Sequence, residues 1–264
     1  MKKKIIFTLI IFLFSSFFLF LFNDGSRYIG INYNIESYKV SNFQKIRDFY
    51  KRHLNYKKLA KEINKNANNK NEKVINISLW VYKNIKKISQ NQNQDIIDLH
   101  PWTIVERRLG TQDQFSDILS VLLIYSNIDS FFNNKFENII HPITFFKYKN
   151  YWSIIDPYYG IYFVNNEKKI CSLKEIKSNN RTMYHLTLGE VTLENYNKIF
   201  FNKKFSSLKE LNLYYNNLLN YFPNKKNIDD INLYERGTGS RSYIQKPIHR
   251  IIFQLRKSLN SLFY

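Results

Sequence analysis

The stretch QFSDILSVLLIYSNI, residues 114–128, constrains the fold more than any other part of the chain. Its apolar side chains fall at Phe115, Ile118, Leu119, Leu122 and Leu123, the i, i+3, i+4, i+7, i+8 spacing of one helix face. Val121 and Ile124 widen that face until little polar surface is left. A helix that is apolar nearly all round must be enclosed by other elements on more than one side. A layered domain with this helix at its centre is therefore expected. Thr111 reads as the N-cap, and Gln114 three residues later completes a capping box. Gln112 lies three residues before Phe115, on the buried side of the first turn.

Two β-rich runs follow, NIIHPITFFKY at 138–148 and YWSIIDPYYGIYF at 151–163. With a turn centred on Tyr148 and Lys149, counting back sets His141 directly opposite Asp156, and an adjacent register keeps both at the same end of the hairpin. A third strand is expected over Ile161–Val164. Before the central helix, Phe43–Ile63 and Asn76–Ile88 carry apolar residues at helical spacing, and residues 26–41 read as an extended tether. Residues 90–114 read as a long, turn-rich approach to the central helix. After the hairpin the chain is lysine-rich, with helices expected over 207–222 and from Pro247 onward, and a polar loop YERGTGSRSYIQ between them. The resulting fold class is α+β: a buried helix packed on an antiparallel sheet.

The N-terminus begins MKKK, followed by an uncharged run from Ile5 to Phe22. That run is long enough to span a bilayer, and small residues are missing where a cleavage site would need them. An uncleaved signal-anchor over residues 1–24 is expected, with the lysines on the cytoplasmic side. This implies a single-pass inner-membrane protein with the bulk of the chain on the periplasmic, extracytoplasmic side. The remaining divisions are a tether and N-terminal helix over 25–70, a core over 71–165, and a basic, mainly helical extension over 166–264.

A formal net charge of +19 admits an anionic polymer or lipid surface as partner. The same excess follows from AT-rich codon usage, since Lys, Asn, Ile, Phe and Tyr are all abundant; charge alone does not choose. No glycine-rich phosphate loop, zinc spacing or aromatic RNA-binding motif is present, which argues against nucleic acid and leaves no cofactor or metal expected. The single cysteine, Cys171, excludes an internal disulfide, and the five histidines are scattered.

A residue at the N-terminus of a buried helix, then a strand histidine, then a hairpin aspartate is the layout of a cysteine-nucleophile triad. The helix end favours a thiolate, the histidine acts as base and acid, and the carboxylate fixes its tautomer. The motifs LWVYKNI at 79–85, GTQDQFSDILSVLLIYSNI at 110–128 and HPITFFKYKNYWSIIDPYYG at 141–160 resemble those of the bacterial transglutaminase-like superfamily with a papain-like fold. The likeness covers roughly residues 75–165. It implies that His141 stands at the catalytic histidine, Asp156 at the aspartate, and Gln112 at the nucleophilic cysteine. Asn127 replaces the glycine expected before Ile128.

A carboxamide is no thiolate, and a histidine cannot activate it near neutral pH. Covalent acyl transfer by the usual route is therefore expected to be absent. Thr111, Ser116 and Asp113 beside Gln112, and Cys171 on a different element after the hairpin, are the substitutes to weigh. The reading that follows is a membrane-anchored pseudoenzyme serving as a binding or scaffold module in the cell envelope, with a peptide, a glycan or an envelope protein as ligand. The alternatives are a cysteine-independent hydrolase or acyltransferase using His141 and Asp156, and an electrostatic binder of anionic polysaccharide or lipid through the extension.

Overall fold

The structure, a computed structural model, describes residues 2–31, 34–88, 100–133, 142–178, 181–199 and 207–220. His141, the YERGTGSRSYIQ loop and the helix expected from Pro247 lie outside the described residues. The chain opens with α1 (Lys2–Phe22), a hairpin of β1 (Asp24–Ile31) and β2 (Asn34–Ser41), then α2 (Asn42–Ile63) and α3 (Lys70–Asn84). Next come β3 (Lys86–Lys87), α4 (Pro101–Arg107), β4 (Leu109–Gly110), α5 (Gln112–Tyr125) and β5 (Ser130–Asn133). The strands β6 (Ile143–Tyr148), β7 (Tyr151–Asp156) and β8 (Ile161–Val164) follow, then α6 (Leu173–Lys177), β9 (Thr182–His185) and β10 (Gly189–Glu190). The described part ends with α7 (Leu193–Ile199) and α8 (Leu208–Asn220).

The centre is α5, as its periodicity requires. Phe115, Ile118, Leu119, Leu122 and Leu123 are fully buried, with α2, α3 and α4 on one side and β5 and β6 on the other. Small hydroxyls tie the helix to the sheet: Ser116 Oγ donates to the Pro142 carbonyl at 2.8 Å, Thr144 Oγ1 to the Ser116 carbonyl at 3.2 Å, and Ser130 Oγ to the Ser120 carbonyl at 2.6 Å. Each satisfies a buried polar atom that would otherwise cost about 1–3 kcal/mol. At the other end Asn127 adopts φ of 61°, the left-handed turn that ends the helix, and the Ile128 N–H closes back on the Leu123 carbonyl at 3.0 Å.

Three elements differ from expectation for local reasons. Residues expected as a tether pair with themselves, Asp24 opposite Ser41 through Ile31 opposite Asn34. Helix α3 starts six residues before Asn76, because Asn69 Oδ1 accepts from the Glu72 N–H at 3.0 Å and caps it there. The approach to α5 holds the extra helix α4, with Pro101 at its first position and His100 Nδ1 accepting from the Trp102 N–H at 3.1 Å.

A six-stranded antiparallel sheet runs in the order β10-β9-β8-β7-β6-β5. The β6–β7 turn centres on Lys149, at φ of 52°, and Asn150, so Tyr148 faces Tyr151 and Thr144 faces Ile155. This register is two residues away from the one that sets His141 against Asp156. A slip of two preserves which face each side chain occupies. Phe146 and Ile155 join the layer built on α5, whereas Phe145, Trp152 and Ile154 join the layer containing Leu211 and Tyr215 of α8. The sheet thus has helices on both faces.

Candidate functional site

Gln112 is the first residue of α5 and is half-buried. The cap beneath it is built from neighbours. Gln114 Oε1 accepts from the Thr111 N–H at 3.1 Å and from Arg107 Nη2 at 3.0 Å, while the Thr111 hydroxyl is hydrogen-bonded to the Asp113 carboxylate. The Gln112 amide is left for another partner, and its side chain hydrogen-bonds the Tyr159 hydroxyl.

Asp156 ends β7 and is buried, 2% exposed. Alternation along the strand puts its side chain on the face of Trp152 and Ile154, the layer covered by α8. Its Oδ1 accepts from the Tyr158 and Tyr159 N–H groups at 3.1 and 3.0 Å, and its Oδ2 accepts from the Tyr215 hydroxyl at 3.0 Å. Burial pushes the carboxyl pKa up. The Tyr159 N–H, the Tyr215 hydroxyl, the Lys87 ammonium and the Tyr158 N–H pull it back. Among the described residues Tyr159 links Gln112 and Asp156, bonded by its ring hydroxyl to one and by its backbone N–H to the other.

Two groups join this site that the sequence reading passed over. Strand β3 runs parallel to β4, with Lys87 paired to Gly110 two residues before Gln112. Although Lys87 as a whole residue is exposed, its ammonium lies over three tyrosine rings, 5.3 Å from the centroid of Tyr82, 4.7 Å from Tyr158 and 5.6 Å from Tyr159. Desolvation there lowers the ammonium pKa, and the Asp156 charge raises it. Such ring faces attract a cation through their quadrupoles.

His185, on β9, is the other. Its Nδ1 accepts from the Thr187 and Leu188 N–H groups, both at 3.2 Å, which leaves the ring proton on Nε2, 3.1 Å from the Tyr82 hydroxyl. Burial first, and the Lys87 charge second, pull its pKa down to about 4. Nδ1 occupied by two donors has no room for a second proton, so this imidazole is a fixed neutral group near pH 7. Gly160 makes the close packing possible: a Cβ there would lie 3.1 Å from His185 Nε2 and from the Tyr82 ring, and its φ is 71°.

The other residues considered as nucleophiles are engaged elsewhere. Ser116 donates to Pro142, Thr111 to Asp113, and Cys171 is fully buried in the α8 layer with its thiol pKa pushed up to about 12. Asp113 is exposed. Among the described residues no group of three or more His, Cys, Asp or Glu side chains gathers to hold a metal ion.

Models of known protein families give no match to the chain, and no curated protein matches it. One solved structure does, that of a candidate cysteine protease from Cytophaga hutchinsonii, at 22% identity and a TM-score of 0.33. The match covers 40% of this chain and 37% of that one, so this chain spans well under half of the protein it resembles.

Proposed function

We propose that this chain is a membrane-anchored protein with a papain/transglutaminase-like core that binds rather than cleaves: a non-catalytic binding or scaffold module on the extracytoplasmic side of the membrane. The observation that carries this reading is the engagement of Asp156. A carboxylate that orients a catalytic histidine needs a lone pair free for that histidine. Here two backbone N–H groups and the Tyr215 hydroxyl take three of its roughly four acceptor positions, and the side chain lies on the sheet face away from α5. At the helix end, Gln112 offers an amide that donates and accepts hydrogen bonds but loses no proton near neutral pH and has no electron pair as nucleophilic as a thiolate's. A ligand amide or hydroxyl suits such a group, as found in peptides and glycans. Helix α1 is long and apolar enough to cross a membrane, which supports the anchor.

The test uses the full chain in detergent. Incubation with peptide esters and amides should give no turnover above a heat-treated control. Turnover that disappears in His141→Ala would replace this reading with a cysteine-independent enzyme. In the binding arm, saturation-transfer NMR with a panel of short peptides and oligosaccharides should give contacts that Gln112→Ala weakens. Contacts equal in the wild type and Gln112→Ala would move the binding site elsewhere.

A further inference from the structure

Helix α2 is divided along its length. Its second half docks on the domain through Tyr56 and Ala60, both buried. Its first half presents Phe43, Ile46, Tyr50 and Leu54, which are 51%, 48%, 61% and 46% exposed. Their i, i+3, i+7, i+11 spacing sets all four on one face, so they form a stripe rather than a scatter of single apolar residues. The same face changes character farther along: three and seven residues beyond Leu54 stand Lys57 and Lys61, both exposed, with Lys58 beside them. Arg47 and Lys51, also exposed, flank the stripe itself.

The apolar end of this face is the end next to α1. Asn42, the first residue of α2, donates from Nδ2 to the Phe20 carbonyl at 2.9 Å, and its backbone N–H donates to the Asn23 carbonyl at 3.1 Å. The β1–β2 hairpin carries the chain out and returns it, so α2 starts where the apolar helix stops. Away from that junction the stripe gives way to lysines.

We propose that the first half of α2 lies on an anionic membrane surface, with Phe43, Ile46, Tyr50 and Leu54 inserted at the headgroup–acyl boundary and Arg47, Lys51, Lys57, Lys58 and Lys61 meeting lipid phosphates. The proposal rests on α1 being seated in the bilayer, which brings the start of α2 to that boundary. An apolar stripe bounded by cations is the composition that binds in the plane of a membrane interface, and long lysines reach outward from it to the phosphates. Each cation close to an anionic surface strengthens the contact roughly fivefold. A second copy of the chain is a poorer occupant, because pairing two such faces would also bring their cations together. Docked on the surface, α2 would hold the domain in one fixed orientation beside its anchor.

The experiment uses the full chain in vesicles of phosphatidylcholine and phosphatidylglycerol, and in phosphatidylcholine alone. Single cysteines at Leu13, Ile46 and Leu213 carry a nitrobenzoxadiazole dye, and doxyl-labelled lipid is the quencher. Cys171 is fully buried and escapes labelling. Leu213 is an exposed control on α8. The expected result is quenching of the Leu13→Cys and Ile46→Cys dyes several-fold above the Leu213→Cys dye. Quenching at Ile46 should fall in phosphatidylcholine alone, and on combining K57Q, K58Q and K61Q. Quenching at Leu13 with Ile46 at the control level overturns the inference and leaves the anchor standing. An unquenched Leu13 overturns the anchor itself and the inference with it. A disulfide between unlabelled Ile46→Cys copies, with no lipid quenching of the labelled protein, makes a second copy the occupant and also overturns the inference.

Discussion

The Tyr215 hydroxyl donates to Asp156 Oδ2 at 3.0 Å, joining α8 to the end of β7 across 59 residues of sequence. Both side chains are buried, and this contact completes the ring of donors around the carboxylate begun by the Tyr158 and Tyr159 N–H groups. Asp156, expected from the sequence to orient a histidine, is a polar centre of the layer between the sheet and α8.

Substitutions at this centre should separate charge from hydrogen bonding. Asp156→Ala leaves two N–H groups and a hydroxyl buried without an acceptor, at about 1–3 kcal/mol each before any relaxation. A loss of at least about 3 kcal/mol in chemical denaturation is expected. Asp156→Asn keeps an acceptor oxygen for the two N–H groups, donates to Tyr215, and removes a charge that burial disfavours. Its cost should stay within about 1 kcal/mol. Tyr215→Phe, which deletes one donor, should fall between the two.

His185 makes stability depend on pH in a defined sense. Its pKa in the folded chain, about 4, lies below the ordinary 6.5, so the unfolded chain takes up the proton first as pH falls. Stability from this group is complete above pH 6.5 and is lost as pH drops toward 4, by up to about 3 kcal/mol. Asp156 acts in the opposite sense, since its carboxyl is raised from 3.8 and the folded chain holds its proton longer. Denaturation curves between these limits for wild type and His185→Gln isolate the histidine: the wild type should lose more stability on acidification than the variant.

Lys87 and His185 should be coupled. The ammonium is the second cause of the low histidine pKa, so Lys87→Met should move the His185 titration upward in NMR while the fold is kept. An unchanged midpoint would mean that the ammonium leaves its tyrosine rings in solution.

Gly160→Ala combines two penalties, a left-handed φ of 71° and a Cβ 3.1 Å from the rings of Tyr82 and His185. A loss of about 2 kcal/mol or more in thermal or chemical unfolding is expected. Asn127→Gly relieves the milder strain at φ of 61° and should be neutral or stabilising by a few tenths of a kcal/mol.

The chain itself determined the elements whose signals are local. The burial of α5 followed from apolar spacing within 14 residues, the Gln114 cap contact from a four-residue pattern, and strands β6 to β8 from β-rich runs bounded by turn residues. Asn127 stands where the family resemblance implies a glycine, and its φ of 61° is the left-handed conformation a glycine would take there. Only the tertiary structure decided what the candidate site residues touch. Which helix covers the face carrying Asp156 depends on how α8 docks, and nothing near Asp156 in sequence encodes Tyr215. Lys87 reaches the site because two short strands pair in parallel around α4, a helix that the sequence reading passed over as loop. Periodicity and capping act over one or two turns of chain, so they can be read from order alone. The partners of a buried carboxylate are chosen by packing between distant elements, and that choice exists only once the layers have closed.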